Sequence, residues 1–179
     1  LNPDRVLVIV GFQSEKIVNQ FRDPRIEFVK QKKQKGTGHA VLQAQEALRD
    51  FEGNLLVLCG DMPLIKASTL KKLVAYHQEI DSYCTLLTLK TKLPKDFGRI
   101  LKDEEGRITS IVENSDANAQ QKTIDEYNTG VYCFEKNLVF DAIRHIDNNN
   151  FQAEYYLTDT IQKIVENRLA VQSVQIEDA

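Results

Sequence analysis

The sequence predicts an α/β fold, a mostly parallel mixed sheet with a small antiparallel excursion. Three observations carry that reading. Short β-branched or leucine-rich runs alternate with stretches of helical periodicity, the order that builds crossover units with parallel strands. The run Leu55-Leu56-Val57-Leu58 is apolar without alternation, the pattern of a strand buried on both faces. Residues 99–101 and 107–112 flank Asp103-Glu104-Glu105-Gly106, a hairpin signal that breaks the βαβ order.

Taken in order, residues 5–10 form a β-branched strand closed by Gly11. Ser14 opens a helix as its cap, with Ile17, Val18 and Phe21 on the apolar face, and Asp23-Pro24 stops it. Residues 26–29 are the next strand. Residues 31–40 read Gln-Lys-Lys-Gln-Lys-Gly-Thr-Gly-His-Ala, and the following helix turns Val41, Ala44, Ala47, Leu48 and Phe51 toward a core. A loop bracketed by Gly36 and Gly38 exposes backbone N–H groups and gives a base or phosphate close access; it is equally a plain polar turn beside a solvated lysine cluster. His39 at the helix start is a phosphate or base contact or, as a lone His there more often is, structural, and it is not counted among the site residues.

The strand at 55–58 leads to Gly60 and Asp61, just beyond its carboxyl end, where open α/β sheets bind ligands. An Asp there either ligates Mg²⁺ beside substrate phosphates or caps the next turn, which contains Pro63. Ser68 opens a helix bearing Leu70, Leu73, Val74 and His77 on one face, with His77 a satisfied buried side chain. Residues 83–89 form a strand. Residues 114–122 are polar and read as a mobile surface loop. Residues 127–134 form a strand in which Gly130 marks a bulge or the close approach of another backbone or a ligand. A helix over 137–146, a second helix capped by Thr158 and a strand over 169–176 complete the chain.

Composition limits the function classes. The chain has 179 residues, 42% hydrophobic and 27% charged, enough for one globular domain. A net charge of −3 argues against a basic nucleic-acid surface. Cys59, Cys84 and Cys133 include no C-x-x-C pair, so neither a zinc site nor a disulfide framework is indicated, and a reducing cytoplasm is the expected location. No apolar run is long enough to span a membrane, and no signal-peptide pattern opens the chain. Leu1 stands almost against the first strand, as in a piece of a longer polypeptide.

Six stretches, in order, resemble motifs of bacterial N-acetylglucosamine-1-phosphate uridyltransferases, the N-terminal half of bifunctional uridyltransferase/glucosamine-1-phosphate acetyltransferases. They are Gln31 through Ala40 with Gly36-Thr37-Gly38-His39-Ala40; Gly60-Asp61-Met62-Pro63-Leu64; Phe97-Gly98-Arg99-Ile100; Ile111-Val112-Glu113 with Asp116-Ala117; Glu126-Tyr127-Asn128-Thr129-Gly130; and Glu154-Tyr155-Tyr156-Leu157-Thr158-Asp159. Together they are far more specific than any one of them. The resemblance implies a Rossmann-like nucleotidyltransferase fold with helices on both faces of the sheet. It implies uridylyl transfer from UTP to N-acetylglucosamine-1-phosphate, giving UDP-N-acetylglucosamine and pyrophosphate for cell-wall and lipopolysaccharide precursors. On matching positions, Gln31, Gly36 and Thr37 would contact uracil. Asp61 would bind Mg²⁺ as the catalytic carboxylate, with Cys59 and Gly60 beside the nucleotide. Gly98, Glu113 and Asn128 would hold the N-acetylglucosamine moiety.

The chain departs from that family in ways that matter. The opening Leu-Ala-Ala-Gly-x-Gly-Thr-x-Met and the lysine beyond it are not in this sequence, nor is a second Mg²⁺ ligand, an Asn past the last strand. The β-helix domain through which the parent would form a homotrimer is also missing. Cys59 replaces a usual Tyr, Phe97 a Tyr and Ala153 a Gly. Residues 1–179 are therefore expected to be a single, incomplete nucleotidyltransferase domain, inactive when isolated, whose central sheet lacks a strand. The competing readings are a nucleotidyltransferase for another sugar phosphate or nucleotide, and a non-catalytic sugar-nucleotide-binding module.

Overall fold

In a computed structural model, which describes residues 1–21, 23–62 and 64–177, the chain order is β1 (Val6–Val10), α1 (Ser14–Val18), β2 (Ile26–Lys30), α2 (Thr37–Gln43), β3 (Asn54–Val57), α3 (Ala67–Glu79) and β4 (Cys84–Lys90). It continues through β5 (Arg99–Lys102), β6 (Ile108–Val112), a single 3₁₀ turn at Gln121–Thr123, β7 (Glu126–Glu135), α4 (Lys136–Ile143), α5 (Asp159–Glu166) and β8 (Val171–Glu177). Pro63, which the sequence puts in the turn after β3, lies outside the described residues.

The α/β class and the mixed sheet hold, but the balance of pairings differs from the expected one. Two pairs are parallel, β1 with β2 and β4 with β8. Four are antiparallel, because β7 runs against β3, β4 and β5, and β5 against β6. The reason is β7 itself. Its ten residues give it room for three partners: β4 along one edge, and β5 and β3 end to end along the other.

The strand β3 also corrects an expectation. It is antiparallel to β7, and its residues are only partly buried rather than enclosed on both faces. Its second edge takes no strand among the described residues, and neither does that of β1, which pairs with β2 in a separate two-stranded sheet.

Helices cover both faces of the large sheet. On one face, Leu73 of α3 packs with Leu87, Val131 and Cys133. On the other, Phe140 and Ile143 of α4 and Ile161 and Ile164 of α5 pack with Cys84, Leu86, Tyr132 and Phe134. Successive residues of β7 thus serve opposite cores, as the period of two requires.

Several local expectations change. Helix α1 stops at Val18 because its apolar face finds no core: Ile17, Val18 and Phe21 are exposed, and the Phe21 ring lies 6.4 Å from Phe28 instead. Ser14 is the first helical residue, not the cap, and Ser68 lies inside α3. Helix α2 ends at Gln43, although Ala44 and Leu48 stay buried through turns that close Leu48 N–H on the Ala44 carbonyl at 3.0 Å. His77 is buried and its Nδ1 lies 2.9 Å from the Thr85 hydroxyl, while its Nε2 has no partner. The polar loop at 114–122 is tied down: Asn118 and Gln121 exchange two 2.9 Å hydrogen bonds, and Asp116 accepts from Phe151 N–H at 2.8 Å.

Ala153 stands at φ +54°, the left-handed region that favours glycine. Its Cβ costs about 1 kcal/mol there, part of which glycine returns as extra freedom of the unfolded chain. Ala153→Gly is predicted to raise the unfolding free energy by about 0.5 kcal/mol, read from the urea midpoint at unchanged slope; a lowered midpoint would contradict the backbone reading.

Candidate functional site

A cleft of about 190 Å³ opens where the turn after β3, the lead into β5, the end of β6, the middle of β7 and the lead into α5 converge. Its walls include Thr37, Cys59, Asp61, Gly98, Glu113 and Asn128, six of the nine residues the sequence singles out. Of the other three, Gln31 and Gly36 sit one step back in the loop that carries Thr37, and Gly60 lies between Cys59 and Asp61. A larger groove of about 710 Å³ runs between α4 and the α2 region, but none of the nine lines it.

One wall of the cleft is built on a bulge. The β4–β7 register shifts between Leu87 and Thr88, leaving Thr129 and Gly130 as extra residues on β7. Gly130 takes φ +73°, and a Cβ there would meet the Cys59 sulfur at 2.9 Å. The Cys59 thiol donates to the Gly130 carbonyl at 3.4 Å, and burial with nearby Asp61 and Glu113 raises its pKa, so it stays a neutral thiol. The bulge expected at Gly130 is present, and the group that approaches it is the Cys59 side chain rather than another backbone or a ligand.

Asn128 is buried and fixed from three directions. Its N–H donates to the Gly98 carbonyl at 2.8 Å, its Nδ2 to the Tyr132 hydroxyl at 2.7 Å, and its Oδ1 accepts from Gly130 N–H at 3.2 Å. The Glu113 carboxylate is half-buried and accepts from the Thr158 hydroxyl at 2.9 Å. Burial raises its pKa, the Thr158 hydrogen bond opposes that, and Asp116 adds to the rise. A Cβ on Gly98 would come 3.3 Å from Glu113 Oε2 and 2.9 Å from Ile111, so the glycine lets these strands carry acceptor and donor groups side by side.

The loop at 31–39 brings Thr37 to the cleft. Gln31 is buried, and its Nε2 donates to the Gly36 carbonyl at 3.1 Å and lies 2.9 Å from His39 Nδ1. The space left by Gly36 and Gly38 is taken by the protein, not left open. A Cβ on Gly36 would meet the Tyr155 carbonyl at 2.6 Å, and one on Gly38 the Ile146 side chain at 2.8 Å. Gly38 N–H donates to the Tyr155 carbonyl at 2.8 Å, Tyr155 N–H to the Lys35 carbonyl at 2.8 Å, and Leu157 N–H to the Thr37 hydroxyl at 3.0 Å. These two glycines lock two site segments together. Gly60 is the open one, since a Cβ there would find nothing within 4 Å.

Asp61 is exposed on the cleft wall and its carboxylate makes no hydrogen bond or ion pair among the described residues. No cluster of three metal-ligating side chains is present among those residues. A single free carboxylate suits Mg²⁺, which takes one or two protein carboxylates and completes its shell with phosphate oxygens and water.

Two wall residues escape the sequence reading. The sequence makes Thr158 a helix cap; it holds that position, but its hydroxyl makes no cap bond and serves Glu113 instead, since a half-buried carboxylate is the costlier group to leave unpaired. Tyr132, which braces Asn128, is four positions along the same strand and on the same face, across the bulge.

Comparison with known proteins follows the same outline. The profile of the family described as Nucleotidyl transferase matches residues 2–179. Bifunctional protein GlmU of Listeria monocytogenes (serotype 4a, strain HCC23) is 42% identical over 177 residues, 99% of this chain and 38% of that protein. Bifunctional protein GlmU of Acetivibrio thermocellus is 39% identical over 176 residues, 98% of this chain and 38% of that protein. The chain thus spans less than half the length of these curated relatives. A crystal structure of UDP-glucose pyrophosphorylase complexed with UDP-glucose superposes with a TM-score of 0.73 at 18% identity, covering 97% of this chain and 73% of that one, which establishes a shared fold.

Asp159 heads α5 behind Thr158. Burial, then Asp147, Glu113 and Asp116, push its pKa from 3.8 to about 6, with Lys163 opposing. Between those values the folded chain holds a proton that the unfolded chain releases, so stability falls as pH rises through that window. Asp159→Asn is predicted to remove this slope and to raise the melting temperature at pH 7 by about 2–4 °C; a slope unchanged in the variant would refute the assignment.

Proposed function

The chain belongs to the nucleotidyl transferase family, and from that premise we propose that it forms the transfer site of an enzyme that makes UDP-N-acetylglucosamine from UTP and N-acetylglucosamine-1-phosphate. The observation that carries the proposal is the convergence of Thr37, Asp61, Gly98, Glu113 and Asn128 on one cleft from distant parts of the chain. The identities of about 40% with the GlmU proteins support it.

In this reading Gln31, Gly36 and Thr37 receive the uracil. Glu113 and Asn128 pair with the hydroxyls and amide of N-acetylglucosamine, an assortment of donors and acceptors that a carboxylate and a carboxamide match. Gly98 keeps the wall between them thin. An oxygen of the sugar phosphate attacks the α-phosphorus of UTP, and the bond from that phosphorus to the bridging oxygen breaks, releasing pyrophosphate. No side-chain nucleophile is required; the chain positions two anionic substrates. Asp61 is the carboxylate that would hold Mg²⁺, which when bound neutralises charge on the phosphates.

The remaining parts of the proposal concern the whole protein. It acts in the cytoplasm, where its three thiols stay reduced, and its product supplies cell-wall and lipopolysaccharide synthesis. Its trimer forms through a separate domain. Among the described residues no helix is long and apolar enough to cross a membrane.

The test is calorimetric titration of the chain with UDP-N-acetylglucosamine in Mg²⁺. Saturable binding is expected, weakened about tenfold or more in Asn128→Ala, as loss of a buried polar contact implies, and unchanged in Arg144→Ala on the distant groove. Equal affinity for UDP-glucose, or an Asn128→Ala variant that binds normally, would contradict the assignment of the sugar.

A further inference from the structure

The Gln31 amide has only two N–H bonds to give, and both have takers. One points to the Gly36 carbonyl at 3.1 Å, which can only accept and therefore fixes which end of the amide is nitrogen. The other meets His39 Nδ1 at 2.9 Å. For that contact to be a hydrogen bond, Nδ1 must carry a lone pair, so the ring proton sits on Nε2. Burial and the positive charge of Lys35 both lower the His39 pKa, which keeps the ring neutral near pH 7. Gln31 Oε1 accepts from no described residue and is not among the buried atoms left unpaired, so it remains reachable from solvent. The Gln43 amide donates to the His39 carbonyl at 3.1 Å and lies 3.4 Å from Nε2, a spacing too long to dictate the tautomer.

We propose that His39 is a positioning residue for pyrimidine choice: by accepting at Nδ1 it adds a second tether to that of the Gly36 carbonyl, and together they keep the Gln31 amide from turning over, so Gln31 presents an acceptor alone. An acceptor pairs with the N3–H of uracil and opposes the bare N3 of cytosine. The inference rests on the reading in which Gln31 faces the base, and adds what fixes the direction of that side chain. A free glutamine reads either base by rotating its amide; one held at both N–H bonds discriminates. The histidine that the sequence leaves outside the site residues is thereby part of nucleotide selection.

Two measurements on the chain test this. In ¹⁵N-histidine spectra without nucleotide, His39 should show a protonated Nε2 and an unprotonated Nδ1 at pH 7; a protonated Nδ1 would overturn the inference. Affinities for UTP and CTP in Mg²⁺ should then favour UTP at least tenfold. The ratio should fall about tenfold in His39→Leu and be retained in His39→Asn, whose Oδ1 can replace Nδ1 as the acceptor. A ratio unchanged in His39→Leu, or lost equally in both variants, would overturn it. Failure of the unmodified chain to bind either nucleotide would overturn the functional reading and this inference with it, whereas binding with the wrong tautomer or an unaltered ratio removes the inference alone.

Discussion

The structure depends on satisfying the backbone of β7. Ten consecutive residues, nearly all buried, must place every N–H and C=O on a partner. Sheet pairing achieves this along most of the strand, with β4 on one edge and β5 and β3 sharing the other. Where the register shifts, the extra residues turn to local partners: the Thr129 hydroxyl donates to the Leu87 carbonyl at 2.7 Å, and Gly130 N–H to Asn128 Oδ1. The cleft lies at this irregularity. Breaking the regular ladder leaves backbone and side-chain groups available to orient Asn128 and bring the turn bearing Cys59 against Gly130.

A second constraint joins the two ends of the site. The loop with Gly36 and Gly38 and the stretch before α5 are more than a hundred residues apart, yet they exchange backbone hydrogen bonds and pack without room for a side chain. That contact fixes Thr37 relative to Thr158, and Thr158 in turn donates to Glu113. The loop bearing Thr37 and the wall bearing Glu113 are therefore one mechanical unit. Rigid support of this kind is what holding bound groups in a fixed geometry requires.

Much of this is legible in the sequence. The hairpin of β5 and β6, the bulge at Gly130 and the placement of Asp61 beyond β3 follow from turn residues and apolar runs, which act locally. The direction of β3 is not legible, since an unalternating apolar run says that a strand is sheltered but not which neighbour shelters it or in what sense. Ser14 and Thr158 show the same limit for caps: Ser14 enters the helix instead of capping it, and the Thr158 hydroxyl serves Glu113, a partner that only tertiary contacts supply. Gly36 and Gly38 are recognisable as positions where something approaches closely. Only the fold shows that the approaching group is the chain's own backbone.

The central claim is that the cleft around Asn128 is where a sugar nucleotide binds. The most direct measurement is a ¹H–¹⁵N correlation spectrum recorded during titration with UDP-N-acetylglucosamine and Mg²⁺. Saturable shifts are predicted, concentrated at the backbone amides of Gly36, Thr37, Gly60, Asp61, Gly98, Glu113 and Asn128. Shifts confined to the groove beside α4, or none at ligand excess, would contradict it.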